Sequence, residues 1–504
     1  MAHSQSKRVA VVGSGCAGLA AVWVLKDTHH DVFLYESADR LGGHTNTVQW
    51  TSGKHTTAVD TGFIVLNEAT YPNFINFLKV VDVPIDPTDM TFAVSRDGGL
   101  FEWAGTSLAS VFCQPTHLIS PRFWRMLFDV VRFNHFAKDL LVEEDERRGA
   151  PAASGYDPLP ASIGEYLDKE GYSEAFRNDY LIPMTAAVWS TSPDKCALAF
   201  PAATLVRFFW NHHLLSTITA RPSWLTLRRC GQSYIDAIMK DFPADHIFLN
   251  EPVRSLVNEP SGKVRLLLEN GSTALYDHVI LATHGDQAYS IIQPSATPEE
   301  AAILSAFKTS PNKAVLHSDT SLLPRKALAR SCWNYITTSS SGRGTDNVDS
   351  ICLTYDMNSL QHIPRATFGD VLVTLNPLRP PRPETVRAEF EYAHPLYTPE
   401  AVAAQRELRK IQGRRGVSYA GAWTGYGFHE DGFTSGLRAA EGLGGRVPFE
   451  VRDSTYSRGV RPESGFRERV LRAVILVVQV VIVSSIEKVF GSRRSSLEGE
   501  KKRL

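Results

Sequence analysis

Val9-Ala-Val-Val-Gly-Ser-Gly-Cys-Ala-Gly-Leu19 sets four apolar residues before a glycine turn and the start of a helix. Gly13, Gly15 and Gly18 make the spacing G-x-G-x-x-G. The backbone there must turn tightly, let a pyrophosphate approach and bring a helix N-terminus up to it. Cys16 and Ala17 are the small residues such a turn requires. The next apolar run, Asp31-Val-Phe-Leu-Tyr-Glu36, ends in an acid placed to accept hydrogen bonds from a ribose, with Ser37 beside it. Strand, glycine turn, helix and acid together specify a dinucleotide-binding βαβ unit.

A second glycine-rich stretch lies more than four hundred residues later: Tyr419-Ala-Gly-Ala-Trp-Thr-Gly-Tyr-Gly-Phe-His-Glu-Asp-Gly-Phe-Thr-Ser-Gly-Leu437. A strand near 417–420 is expected to cross a turn containing Gly421, Gly425 and Gly427. A helix then starts around Gly432, carries Ser435 in its first turn and ends at Gly444-Gly445. A helix N-terminus in this place stabilises negative charge on a bound group.

Between these ends, the 504 residues read as two interleaved units of α/β class. A Rossmann-like nucleotide domain takes residues 7–68, 226–290 and 413–446. An α+β substrate domain takes 69–225, whose first part is helical, and 291–412. Residues 447–466 form a linker and 467–504 a basic tail with a hydrophobic helix. Within the substrate part, 71–81 and 123–133 have helical patterns, and loops are expected at 150–162 and 338–347. Val264–Tyr276 reads as a hairpin about Asn270-Gly271, and Val279-Ile-Leu-Ala-Thr-His-Gly as a buried parallel strand ending in a turn. A net charge of −1 gives no nucleic-acid footprint. Six scattered cysteines, with no C-x-x-C pair and no His/Cys cluster at ligand spacing, predict reduced thiols and no metal. The N-terminus shows no apolar stretch of a secretory signal before the first strand.

Ser37-Ala-Asp-Arg-Leu-Gly-Gly-His-Thr45 resembles the Arg-x-Gly-Gly extension of the flavin-containing amine oxidase superfamily, and the 419–437 stretch resembles its second flavin-contacting motif. Residues 59–67 and 425–432 resemble a branch that accompanies lipid-modifying enzymes and is related to phytoene desaturases and fatty-acid double-bond isomerases. The resemblance covers residues 7–445 and implies an FAD-dependent oxidoreductase with a two-dinucleotide-binding-type fold. It implies FAD contacts from Arg40, Gly42, Gly43, His44 and Thr45, from the backbone of Val253, and from Ala282 and Thr283. At the far turn it implies contacts from Gly421, Tyr426, Glu430, Asp431, Gly432 and Ser435.

Four side chains are candidates for the chemistry. Tyr426 occupies the turn where the superfamily places an aromatic ring, and packing under the turn is its other reading. Lys313 is the lysine proposed for the flavin side, against a solvated strand start. His429 and Glu430, with Asp431, are ionisable groups in a turn facing flavin, and such groups are costly to bury without a role. A carboxylate cap ahead of the helix is the alternative for Glu430 and Asp431.

Residues 473–486 are apolar apart from Gln479 and two serines, and appear apolar on all sides. From 461 to 504 there are ten basic and five acidic residues, a net of +5. Fourteen uncharged residues fall short of the roughly 20 that span a bilayer. A membrane-attached helix, spanning or shallow, is set against a helix packed on the nucleotide domain.

Three functions follow as expectations. The first is a membrane-associated FAD enzyme, its catalytic part facing the cytoplasm, that takes a hydride from an apolar fatty-acyl or isoprenoid substrate to desaturate or isomerise it. The second is an amine oxidase releasing hydrogen peroxide. The third is a non-catalytic flavoprotein.

Overall fold

The computed structural model describes residues 6–149, 162–189, 198–216, 222–339, 348–454, 457–459, 461–463 and 465–483. The expected loops at 150–162 and 338–347 therefore lie almost wholly outside the described residues, as does the end of the apolar tail from residue 484.

The first strand, β1 (Arg8–Val12), runs into the glycine turn and helix α1 (Cys16–Leu25), and β2 (Asp31–Tyr35) follows. Three later segments complete an all-parallel sheet: β3 (Ile247–Phe248), β4 (His278–Leu281) and β5 (Val417–Tyr419), in the order β3-β2-β1-β4-β5. Both faces are covered, which is why β1 reads as an unbroken apolar run. Val9 and Val11 face α1 and helix α2 (His429–Glu441), while Ala10 and Val12 face the opposite layer with Leu266, Ile291 and Leu304. That layer includes the three-stranded sheet of Val253–Asn258, Val264–Leu268 and Thr273–Tyr276, whose last two strands form the expected hairpin. Helix α2 starts at His429, three residues before the predicted Gly432, because Asp431 Oδ2 accepts the Phe428 N–H at 2.9 Å and caps it.

Helices α1 and α2 cross closely at glycines. A methyl group on Gly436 would collide with the Ala17 carbonyl, and one on Gly432 would lie 2.6 Å from Cys16 Sγ.

A seven-stranded mixed sheet carries the other side of the molecule, in the order 386–395, 309–317, 372–375, 348–356, 333–339, 92–96 and 101–104. The helix Pro121–Phe136 and its neighbours pack around it as an aromatic-rich layer.

The tail departs from its expectation. Phe466–Val478 is helical and continues through a wider turn to Val483, and it packs on Pro121–Phe136 rather than on the nucleotide sheet. Ahead of the apolar run 473–486, the first turns of this helix carry a polar side. Glu468 bonds His135 at 3.0 Å and Lys138 at 2.8 Å, Arg472 pairs with Asp139, and Ile475 is buried, all on the inner side. Phe466, Val470, Val474, Val477 and Val481 are exposed on the outer side. Among the described residues no helix is long and apolar enough to cross a membrane.

Candidate functional site

The two glycine-rich stretches meet at one cavity of about 410 Å³. At its first end the backbone does most of the work. Gly13 has φ +98°, and a Cβ there would lie 2.6 Å from the Ala282 carbonyl oxygen, so only glycine fits. A Cβ on Gly15 meets nothing within 4 Å: the protein leaves open the groove in front of the α1 N-terminus. Glu36 is held at the groove's edge, accepting from Ser14 N at 2.8 Å, Ser14 Oγ at 2.5 Å and Ala38 N at 2.9 Å. Gly42 and Gly43 run alongside, both at positive φ, with Gly43 against the Gly15 backbone. Arg40 fastens this loop by donating to the Gly43 carbonyl at 2.8 Å and the Thr45 carbonyl at 3.2 Å.

The far turn closes the cavity from the other side. Ser435 Oγ accepts the Gly421 N–H at 2.8 Å and donates to the Gly432 carbonyl at 2.7 Å. Trp423 Nε1 donates to the Thr283 carbonyl at 2.9 Å, tying this turn to the end of β4. Gln405 donates to the carbonyls of Trp423 and Gly425 at 2.8 and 2.7 Å.

Beyond His44 the lining changes to large side chains: Met90, Trp189, Phe208, Leu214, Trp224, Trp333, Tyr355 and Leu375. Five histidines also border the cavity: His44, His212, His284, His394 and His429. Burial holds all of them below the usual imidazole range, to about 4 for His394 and about 3 for His212 and His429, so they are neutral at pH 7. His44 Nε2 is sealed and has no hydrogen-bond partner among the described residues, the mark of a group that a bound molecule satisfies. An open groove, a ribose acid and an orphaned ring nitrogen in one cavity fit an elongated dinucleotide whose ring end lies beyond Gly43.

The sequence profile for flavin containing amine oxidoreductases matches residues 16–443. The chain belongs to this family. It is thus an FAD-dependent oxidoreductase, and the groove is where Gly13, Gly15, Glu36 and Gly43 would hold the FAD. Short stretches resemble curated proteins: 52% identity over 44 residues to an L-amino-acid oxidase of Demansia vestigiata (9% of this chain, 8% of that protein). AofH of Mycobacterium tuberculosis, described as a flavin-containing monoamine oxidase, is 26% identical over 201 residues (38% and 39%). The chain thus spans less than half the length of these relatives. Solved structures share the fold: a conjugated-linoleic-acid-producing fatty acid isomerase from P. acnes has a TM-score of 0.59 at 14% identity, covering 88% of this chain and 99% of that one. Cyclohexylamine oxidase from Brevibacterium oxydans has a TM-score of 0.59 at 16% identity (87% and 99%).

Set on the family's fold, the predicted residues fall into three groups. Gly13, Gly15, Cys16, Ala17, Glu36, Ser37, Gly42, Gly43, His44, Thr45, Ala282, Thr283, Gly421 and His429 line the cavity. Gly18, Arg40, Gly432 and Ser435 shape it from behind: a Cβ on Gly18 would strike the Gly13 carbonyl. The rest lie elsewhere. Val253 belongs to the three-stranded sheet and does not line the cavity. Tyr426 faces away, into a second, polar cavity behind the turn that it shares with Asp431. Glu430 is 1% exposed and caps a different helix, accepting the N–H groups of Asn73 and Phe74 at 2.9 Å each at the start of Pro72–Val80. Lys313 is on the outside, paired with Glu389 at 2.8 Å, both about half exposed. Strand alternation is the reason: its neighbour Asn312 takes the inward position, 3% exposed. His429 borders the cavity and lies flat on Phe63, ring centroids 3.8 Å apart, and its Nε2, like that of His44, is sealed without a hydrogen-bond partner among the described residues. Ser14, Tyr392 and His394 were not foreseen. The first had a signal, a hydroxyl inside the glycine turn facing the acid; the other two sit on a strand with no motif.

Proposed function

We propose that the enzyme removes a hydride from an apolar chain, fatty-acyl or isoprenoid, giving desaturation or double-bond isomerisation. The observation that carries this is the composition of the cavity beyond His44: walls of Trp, Phe, Met and Leu, and no carboxylate to receive an ammonium group. Among the described lining residues the one acid is Glu36, at the opposite end and engaged with Ser14 and Ala38. Bound FAD supplies acceptance of a hydride from a substrate carbon. In desaturation the adjacent carbon also loses a proton, and the hydride and proton together would reduce dioxygen to hydrogen peroxide or a quinone to its quinol. In isomerisation the hydride returns to another carbon, with no net oxidation. The aromatic walls exclude water and align the chain, and five neutral histidines keep fixed charge out of the chamber.

The reading includes a membrane surface as the source of that substrate. The tail helix turns its polar side to the protein and its apolar side outward, with Arg467 and Arg469 exposed at the flanks. An outward apolar face with basic edges suits a helix lying in the headgroup region of an anionic bilayer.

The test is anaerobic bleaching of the yellow holoenzyme. Unsaturated fatty acids or polyprenols should bleach it or be recovered as isomers; a panel of mono- and polyamines should not. Bleaching by an amine alone, with peroxide formed once air is admitted, would make it an amine oxidase.

A further inference from the structure

We propose that His394 presents a fixed ring N–H donor to the reacting end of the cavity, and that Asn312 and Asn376 are the positioning residues that fix it. The assignment starts from two backbone groups whose polarity is not in question. The Lys313 N–H can only donate, and it reaches Asn376 Oδ1 at 3.0 Å. Asn376 must therefore turn its amide nitrogen the other way, where it donates to Asn312 Oδ1 at 2.6 Å. That in turn orients Asn312, whose Nδ2 donates to the Ser310 carbonyl at 3.0 Å and to His394 Nδ1 at 2.8 Å. A carbonyl can only accept, so both ends of the chain agree.

With Nδ1 accepting, the single proton of a neutral imidazole sits on Nε2. His394 borders the cavity, and its Nε2 has no partner among the described residues. Its ring lies 5.2 Å from that of His44, which follows the Gly42-Gly43 loop and marks the passage from groove to aromatic chamber. FAD held in the groove would reach this passage from one side and substrate in the aromatic chamber from the other. Reduction adds negative charge to the ring held there, and a preorientated donor in a site shielded from water favours the charged form. The strand register explains how the group arrives. Residues 309–317 and 386–395 are antiparallel neighbours with Ser310 opposite His394 and Asn312 opposite Tyr392, so all four side chains share one inward face.

The inference rests on bound FAD and not on the proposed apolar substrate, and its test uses no substrate. Holoenzymes of the wild type, His394→Leu, His394→Gln and Asn312→Leu are compared by two-electron midpoint potential and by sulfite titration, with FAD content and melting temperature recorded. His394→Leu should shift the oxidised-to-reduced ratio at fixed potential about tenfold toward oxidised, about 30 mV for a two-electron couple. It should also weaken sulfite binding about tenfold. His394→Gln, which keeps an N–H donor, should recover most of both. Asn312→Leu should reproduce at least half of the loss although its side chain does not line the cavity, because Nδ1 is then free to carry the proton. Unchanged potential in flavin-loaded His394→Leu, or a Gln variant no better than Leu, overturns the proposal. Should His394→Leu lose FAD, Asn312→Leu decides alone, and an unchanged potential there overturns it.

Discussion

The two ends of the cavity are made of different materials. At the groove end the lining is main chain: Gly13, Gly15 and Gly43 present backbone that would meet the FAD, and one acid, Glu36, stands where a ribose would lie. At the chamber end it is side chains, contributed by segments as far apart as Met90, Trp224, Trp333 and His394. A backbone-built site tolerates no change at a few positions and leaves a motif. A side-chain-built site spreads its requirements over many elements, each of which also answers to packing.

Four variants sharpen that contrast, in falling order of expected effect. Gly15→Val should abolish FAD retention while the fold survives, since its Cβ enters the open groove and meets no protein atom within 4 Å. Absorbance at 450 nm relative to 280 nm, read beside a circular-dichroism melt, checks this, and a yellow variant would relocate the pyrophosphate. Next, Val474→Glu with Val477→Glu should lower binding to anionic vesicles by tenfold or more, with flavin content unchanged. Each swap places charge where about 1.5–3 kcal/mol of apolar burial is otherwise available, and undiminished co-sedimentation would remove the tail from the interface. Trp224→Ala, in the chamber wall, should raise KM about tenfold with kcat and FAD affinity little changed; loss of FAD instead would show that the two ends are not separable.

The smallest effect concerns Glu430. Burial raises its carboxyl from the usual 4.5 to about 8, against the pull of the Phe74 and Asn73 N–H groups. A raised acid contributes stability in full below 4.5, where folded and unfolded states are both protonated. That contribution falls as pH climbs from 4.5 to 8, because the unfolded chain ionises first. Glu430→Gln lacks this loss, so its melting temperature relative to wild type should rise by a few degrees across the same window. A difference flat with pH would mean that Glu430 is ionised in its cap.

Much of the fold was legible because it rests on periodicity and glycine. The run Val9–Val12, the hairpin about Gly271 and the small residues of α1 each permit one local structure. Gly432 and Gly436 lay in a recognisable motif, although their part in packing against Cys16 and Ala17 needed the tertiary structure. The site was legible where backbone builds it and misread where a side chain's direction decides. Lys313 and Asn312 differ by one residue, and alternation sends one to solvent and the other to His394. Glu430 sits in the right turn yet reaches a helix more than three hundred residues earlier, a partner that no local spacing announces. The apolar run 473–486 is legible by itself, but Glu468 and Arg472 precede it, and their inward orientation emerges only from the pairs with Lys138 and Asp139.

The crossing of α1 and α2 also governs when the protein can be loaded. The groove in front of Cys16 is complete only after Gly432 and Gly436 have packed against the first helix and Val417–Tyr419 has joined the edge of the sheet. On the ribosome, the first turn emerges hundreds of residues before its closing half, and contacts of such long sequence separation form late. The nascent chain therefore carries an unclosed half-site through most of its synthesis. FAD capture belongs to the last stage of maturation, and truncation anywhere before α2 should yield a colourless product.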